Sequence, residues 1–269
     1  LDSGYNVVVE EGPPAGWWDI YRQIAKDLNI DISTDRSSTQ LLSSLLESKG
    51  ASTRKVILAA EQMIRAKRAF VFGAGISLRA DLIKLIESNR IQNSLVVGSD
   101  GAVRYMLEMG IVPNIIVSDL DGCPDCISEV TGEGGVAFIH AHGDNIPLIS
   151  KWLPLVSGMI VGTTQVEPRK NVINVGGFTD GDRAVHLMAA FGASEIVLAG
   201  MDFGNMVSKY SKPWMNEDEM ASDFKLKKLK WGKLLLERLA MNPGPSFYNA
   251  TSEGEDIKGY RRISFTELP

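Results

Sequence analysis

The chain has 269 residues, 44% hydrophobic and 23% charged, an ordinary composition for a globular protein. Its net charge of −5 argues against nucleic acid as a bulk electrostatic partner, and no apolar run approaches the roughly 20 residues of a membrane span. With no signal-like opening segment and only Cys123 and Cys126 as cysteines, the expectation is a cytoplasmic protein without a membrane partner.

In chain order, residues 1–66 read as an N-terminal helical subdomain. After Pro13-Pro14, Trp17, Trp18, Ile20, Tyr21, Ile24, Ala25 and Leu28 recur at helical spacing. Leu41, Leu42, Leu45 and Leu46 mark a second helix. Val56, Ile57, Ala60, Met63 and Ile64 mark a third, starting after Ser52 or Thr53. From Ala69 onward short apolar runs at 69–72, 95–97, 115–117, 136–139, 158–161, 172–175 and 196–198 read as strands. Amphipathic stretches at 79–88, 102–109, 145–152 and 180–191 separate several of them. This alternation predicts that 67–269 is an α/β domain, an open, mainly parallel sheet with helices on both faces. A long Lys-rich amphipathic helix is expected over about 217–241, ended by Asn242-Pro243-Gly244-Pro245, with a last strand-like segment at 260–265.

In such sheets ligands bind beyond the carboxyl ends of the strands, and the chemically suggestive clusters fall there. Ser118-Asp119-Leu120-Asp121-Gly122 follows the strand at 115–117. Carboxylates at i and i+2 of an extended chain point to one side, roughly 6–7 Å apart, and a bend at Gly122 can bring them around one ion. Two such anions without a cation raise each other's pKa, so hard, oxygen-loving Mg²⁺ is the expected occupant. Asp100, in Gly98-Ser99-Asp100-Gly101, adds a third acid at the same edge. Asp100, Asp119 and Asp121 are the candidate metal ligands and, with Asp180, the candidate catalytic residues. Helix capping is the competing role for Asp100, and a loop acid capping the next helix is that for the pair.

Gly73-Ala74-Gly75 follows the first strand and opens a helix with Ser77 and Arg79, a candidate phosphate turn; a plain tight turn is the alternative. The third glycine of a dinucleotide fingerprint is missing, with Leu78 in its place, and there is no Walker-type loop. His140-Ala141-His142-Gly143-Asp144-Asn145 ends another strand; His142, Gly143, Asp144 and Asn145 are candidate substrate contacts rather than a transition-metal site. Gly162-Thr163-Thr164-Gln165 offers hydroxyl and amide groups suited to a polar heterocycle, through Thr163, Thr164 and Gln165. In Thr179-Asp180-Gly181-Asp182, Thr179 and Asp182 have capping-box spacing, leaving Asp180 as the functional acid. Asp202-Phe203-Gly204 lacks the companion motifs of a kinase, but Asp202 follows a strand and joins the candidate nucleotide contacts. Lys225 and Lys228 are candidate triphosphate contacts, although a Lys-rich face is more often a solvated one. Cys123-Pro124-Asp125-Cys126 has no second pair to complete a zinc site, which leaves packing or incidental thiols.

Asp100-Gly101, Pro113 to Asp121 and Thr179-Asp180 resemble the thiamine pyrophosphokinase catalytic domain, with Ser118 for that family's glycine and Gly122 for its serine. The resemblance widens to the archaeal 6-hydroxymethyl-7,8-dihydropterin pyrophosphokinase family. It runs through the G-x-G turn, S-D-L-D-G, H-A-H-G-D-N, G-T-T-Q, G-G-F-T-D-G-D-R-A and the closing N-A-T-S-E-G, between Gly73 and Gly254. The resemblance implies Mg²⁺-dependent transfer of diphosphate from ATP to the 6-hydroxymethyl group of a reduced pterin. AMP would leave, and the product would feed tetrahydromethanopterin or folate-type cofactor synthesis. Thiamine pyrophosphokinase, a D-x-D nucleotide-sugar glycosyltransferase and a non-catalytic nucleotide-binding module are the competing readings. Small molecules are the expected partners, and a homo-oligomer stays open.

Overall fold

The computed structural model describes residues 12–50 and 53–269. The opening of the 1–66 segment and Ser52 as a helix start lie outside them. The helices are α1 (Trp17–Leu28), α2 (Ile32–Ser48), α3 (Thr53–Ile64), α4 (Leu78–Ser88), α5 (Gly101–Glu108), α6 (Pro124–Gly132), α7 (Ile146–Trp152), α8 (Asp180–Ala190) and α9 (Asp223–Leu239). The strands are β1 (Arg68–Phe72), β2 (Leu95–Ser99), β3 (Ile115–Ser118), β4 (Val136–Ala141), β5 (Met159–Thr164), β6 (Val172–Ile173), β7 (Glu195–Ala199), β8 (Met206–Val207), β9 (Glu219–Met220), β10 (Ser246–Asn249) and β11 (Arg261–Arg262).

Among the described residues, nine strands form one parallel sheet in the order β11-β10-β7-β1-β2-β3-β4-β5-β6, while β8 and β9 pair antiparallel as a separate ribbon. Alternation along the strands builds two cores. Ala69, Val71, Ile115 and Val117 face α3, α8 and α9, whereas Phe70, Phe72 and Ile116 face α2 and α4 to α7. The helices before residue 66 share these cores: Leu42 and Leu46 of α2 cover one face of the sheet, and Val56, Ala60 and Ile64 of α3 the other. Each buried leucine contributes about 1.5–3 kcal/mol through area removed from water. Trp17, Ile20, Tyr21 and Ile24 of α1 build a smaller cluster with Val166, Phe178 and Leu235.

Several boundaries differ from the sequence expectations. Residues 217–222 are not helical; α9 begins after Ser222, whose hydroxyl caps the Lys225 amide at 3.2 Å, and β9 occupies part of the preceding segment. The strand expected at 172–175 stops at Ile173 because the Asn174 side chain bonds the Val166 carbonyl and the Gly176 amide instead. β5 runs on through Thr164. β10 and α6 were not anticipated: the first is a short strand after Pro-Gly-Pro, the second a helix opened by Pro124 in a cysteine-bearing turn.

From β1 the chain lays strands outward to β6, then returns to place β7 on the other side of β1. This reversal opens a crevice between the carboxyl ends of β1 and β7, where open α/β sheets take their ligands. Among the described residues, no helix is long and apolar enough to cross a membrane.

Candidate active site

Asp100, Asp119 and Asp121 converge, each offering a carboxylate oxygen within 4.8 Å of the others. Asp100 follows β2 with φ 40, a region costly for a residue with a side chain, and its amide is held by the Val117 carbonyl at 2.8 Å. Ser118 Oγ donates to Asp100 Oδ1 at 2.6 Å and accepts from the Leu120 amide at 2.9 Å, so it ties the end of β3 to the first acid. Leu120, at φ 73, reverses the chain between Asp119 and Asp121. Gly122 passes so close to Asp100 that a Cβ would collide with its carboxylate and stand 2.7 Å from the Gly101 amide nitrogen. The Ser118 and Gly122 departures from the thiamine pyrophosphokinase pattern thus both shape the acid cluster.

The electrostatics follow from crowding. Burial, then Asp119, Asp180 and Asp121, push Asp100 well above the usual carboxylate range; burial with Asp119 and Asp121 does the same to Asp180. Burial and Asp119 also raise Asp121. Burial would raise Asp119 as well, but a hydrogen bond from His142 leads the interactions that hold it well below. Hard oxygen donors gathered this way, with their charges in mutual repulsion, fit a divalent cation such as Mg²⁺.

Lys212 is the cation that sequence reading missed. It ion-pairs with Asp121 from the segment between β8 and β9, and no motif around it announces the role. Burial opposes its charge, but Asp100, Asp119 and Asp121 together raise its pKa. Arg183, a further cation near the acids, is fully buried beneath the site; it bonds His140 Nε2 at 3.0 Å and the Gly176 and Phe178 carbonyls at 3.3 Å. Burial and Arg183 keep His140 neutral, well below the usual histidine pKa.

Two cavities meet at the cluster. The first, about 140 Å³, occupies the β1/β7 crevice between Gly73-Ala74-Gly75, Asp100, Asp202 and the β8 segment. The second, about 590 Å³, is walled by Asp119, Asp121, His142, Gly143, Asp144 and Gln165, by Leu28 to Asp31 at the α1–α2 junction with Thr34 and Asp35 of α2, and by Phe178, Phe224 and Lys228. Thr179, Asp180, Lys212 and Lys225 line both.

Other expected contacts are placed differently. Asn145 is buried, and its amide is spent inside the protein. It donates to the Asp119 and His140 carbonyls at 2.9 and 2.7 Å and accepts from the His142 amide at 3.0 Å. Thr163 and Thr164 lie within β5; Thr163 Oγ1 is 3.2 Å from His140 Nδ1, and Thr164 Oγ1 is 2.7 Å from Thr39 Oγ1. Neither lines either cavity. Ser77 is buried under the turn with its amide on Asp202 Oδ2 at 3.3 Å, and Arg79 is exposed and lines neither cavity. Asp182 closes the capping box with Thr179. Cys123 and Cys126 are not free thiols but bond each other at the start of α6, buried in the core. Asp35, on the wall of the second cavity, had no motif to single it out.

A model of the family described as "6-hydroxymethylpterin diphosphokinase MptE-like" matches residues 42–207. The chain is similar to the 6-hydroxymethyl-7,8-dihydropterin pyrophosphokinase of Methanocaldococcus jannaschii, 38% identical over 231 residues, which cover 82% of this chain and 94% of that protein. Those of Methanothermobacter thermautotrophicus and Pyrococcus furiosus are each 39% identical, covering 84% of this chain and 94% of theirs. Among solved structures, the MAf glycosyltransferase from Magnetospirillum magneticum AMB-1 superposes with a TM-score of 0.52 at 18% identity, over 76% of this chain. The chain spans about a third (34%) of that glycosyltransferase's length, and the likeness is one of fold.

Proposed function

Because the chain belongs to the MptE-like 6-hydroxymethylpterin diphosphokinase family, we propose that it transfers diphosphate from ATP to 6-hydroxymethyl-7,8-dihydropterin with Mg²⁺ as the required ion. The product would enter tetrahydromethanopterin or folate-type cofactor synthesis. The observation that carries this reading is the meeting of two cavities at one acidic cluster, with Thr179, Asp180, Lys212 and Lys225 on the wall of both.

In the reaction the hydroxymethyl oxygen bonds to the β-phosphorus. The bond from that phosphorus to the oxygen bridging the α-phosphate breaks, and AMP leaves with the bridging oxygen. Such transfers depend on charge neutralisation and in-line positioning more than on covalent chemistry. The β1/β7 crevice suits the nucleotide, since the Gly73-Ala74-Gly75 turn that leads into α4 lines it. Met206, Val207 and Ser208 of the β8 segment wall the same crevice. The roomier second cavity suits a flat bicyclic acceptor. Mg²⁺ on Asp100, Asp119 and Asp121 would supply Lewis-acid neutralisation of phosphate charge, worth several kcal/mol. Lys212 and Lys225 bring protein cations to the junction, and Asp180 offers a carboxylate there for the departing hydroxyl proton.

The test is incubation with Mg²⁺, ATP and the reduced pterin, separating AMP from ADP. AMP formation that depends on the pterin supports the reading. AMP formed with thiamine instead assigns the other acceptor, and no turnover with either overturns diphosphate transfer.

A further inference from the structure

Asp35 on α2 is 1% exposed, lines the second cavity and, among the described residues, forms no ion pair. Three neutral donors hold its carboxylate. The Gly143 amide reaches Oδ1 at 2.6 Å, Gln165 Nε2 reaches Oδ2 at 2.7 Å, and the Tyr21 hydroxyl bonds the same oxygen. Burial and the Asp35 charge push the Tyr21 phenol far above its ordinary value, so it stays a donor. A buried carboxylate without a cation is expensive, and the expense falls when a ligand brings charge-assisted donors to it.

The position of Asp35 relative to the acid cluster is set by one loop. His142 Nε2 lies 3.3 Å from Asp119 Oδ2, and the next residue, Gly143, holds Asp35 by its amide. The cavity therefore has a reactive end, at Asp119, Asp121 and Asp180, and a second carboxylate fastened to the same turn. Leu28, Ile30 and Phe178 give the space apolar walls. A carboxylate offers about four acceptor positions, and three are filled. A ligand donor can take the fourth, and the Gln165 amide, which also lines the cavity, can swing aside for a second.

We propose that Asp35 reads the 2-amino-4-oxopyrimidine edge of the acceptor, accepting hydrogen bonds from the exocyclic amino group and the ring N3–H. The cavity then selects flat heterocycles that present this amidine-like donor pair while their hydroxymethyl group faces the acid cluster. This assignment rests on the proposed reaction for its acceptor, and it moves recognition of the ring from Asn145, whose amide is spent on backbone, to α2.

The experiment compares binding of 6-hydroxymethylpterin with its 2-oxo counterpart, 6-hydroxymethyllumazine, and with the N3-methyl pterin, by fluorescence titration. Wild type should prefer the 2-amino compound over both analogues by at least about tenfold, the range expected for a lost buried hydrogen-bond partner. Asp35→Asn should lose about tenfold or more in pterin affinity and most of its discrimination against the 2-oxo ring, with ATP affinity unchanged. Equal wild-type affinity for all three ligands overturns the assignment and needs no variant, so a failure of Asp35→Asn to fold does not protect it. A folded Asp35→Asn that keeps the wild-type preference overturns it equally. Wild type that shows the preference but releases no AMP leaves Asp35 as the ring-reading residue and sinks the transfer reaction. Wild type that binds none of the ligands overturns both.

Discussion

Lys212 forms an ion pair with Asp121, reaching across from the segment between β8 and β9 to the acid that closes the turn after β3. This contact places a positive charge where the two cavities join. Lys212→Ala should lower kcat by about a hundredfold to a thousandfold, in line with the loss of one preorganised electrostatic group. Lys212→Arg should recover part of it. Unchanged kcat in the alanine variant would leave Lys212 as a surface ion pair only.

Asp119 stands at the centre of the acids, bonded by His142 and crowded by Asp100 and Asp121. Asp119→Asn should reduce turnover by on the order of a hundredfold or more, about 2.7 kcal/mol or more at 1.36 kcal/mol per decade. Magnesium titrations of the folded variant should show weakened dependence on the ion. Near-wild-type activity would remove Asp119 from the metal site.

Gly75 abuts the neighbouring strand end: a Cβ there would collide with the Asp202 carboxylate and meet the Gly200 carbonyl oxygen at 2.5 Å. Gly75→Val should therefore spread the β1/β7 crevice, lowering the melting temperature and raising the ATP Michaelis constant by about tenfold, with much less effect on the acceptor. Equal loss for both ligands, or none for either, would make the turn architectural.

The two lysines of α9 should separate. Lys225 lines both cavities, whereas Lys228 lines only the second, with its Nζ 5.8 Å from the Phe178 ring centre. Lys225→Ala should raise the Michaelis constant for ATP. Lys228→Ala should leave that constant unchanged. Identical ATP effects in the two variants would contradict the placement of the nucleotide in the β1/β7 crevice.

Arg36 of α2 grips Glu167 through two bonds of 2.9 and 2.8 Å, and the bond from Arg36 is the main reason the Glu167 pKa falls from 4.5 to about 2. A depressed carboxylate contributes stability that is present above its unfolded value and lost as pH falls through the folded one. The contribution should fade from about pH 4.5 to about pH 2. Both side chains are about half exposed, at 53% and 49%, so screening keeps it below about 1 kcal/mol. The melting-temperature gap between wild type and Glu167→Gln should be small at neutral pH and should narrow on acidification. A gap that widens would reverse the sign.

The sequence alone determined the α/β alternation and the positions of the acids. Both are written in short-range pattern: short β-branched runs such as Ile115-Ile116-Val117, bounded by turn residues, read as buried strands, and Asp100, Asp119 and Asp121 lie just beyond such runs. The turn chemistry at Thr179 and Asp182 was legible for the same reason, since a capping box is a spacing of three residues. Tertiary structure decided which of the polar groups after the strands remained available to a ligand. Asn145 looked like a substrate contact because it follows a strand, but its side chain satisfies carbonyls that burial would otherwise leave unpaired. Thr163 and Thr164 were removed from the cavity when β5 extended through them. Lys212 and Asp35 reached the site from segments with no motif, Asp35 meeting Gln165 across 130 residues of chain. Such meetings depend on strand order and on which helix covers which face, and helical or strand periodicity, repeating over two to four residues, carries no information about partners that far away.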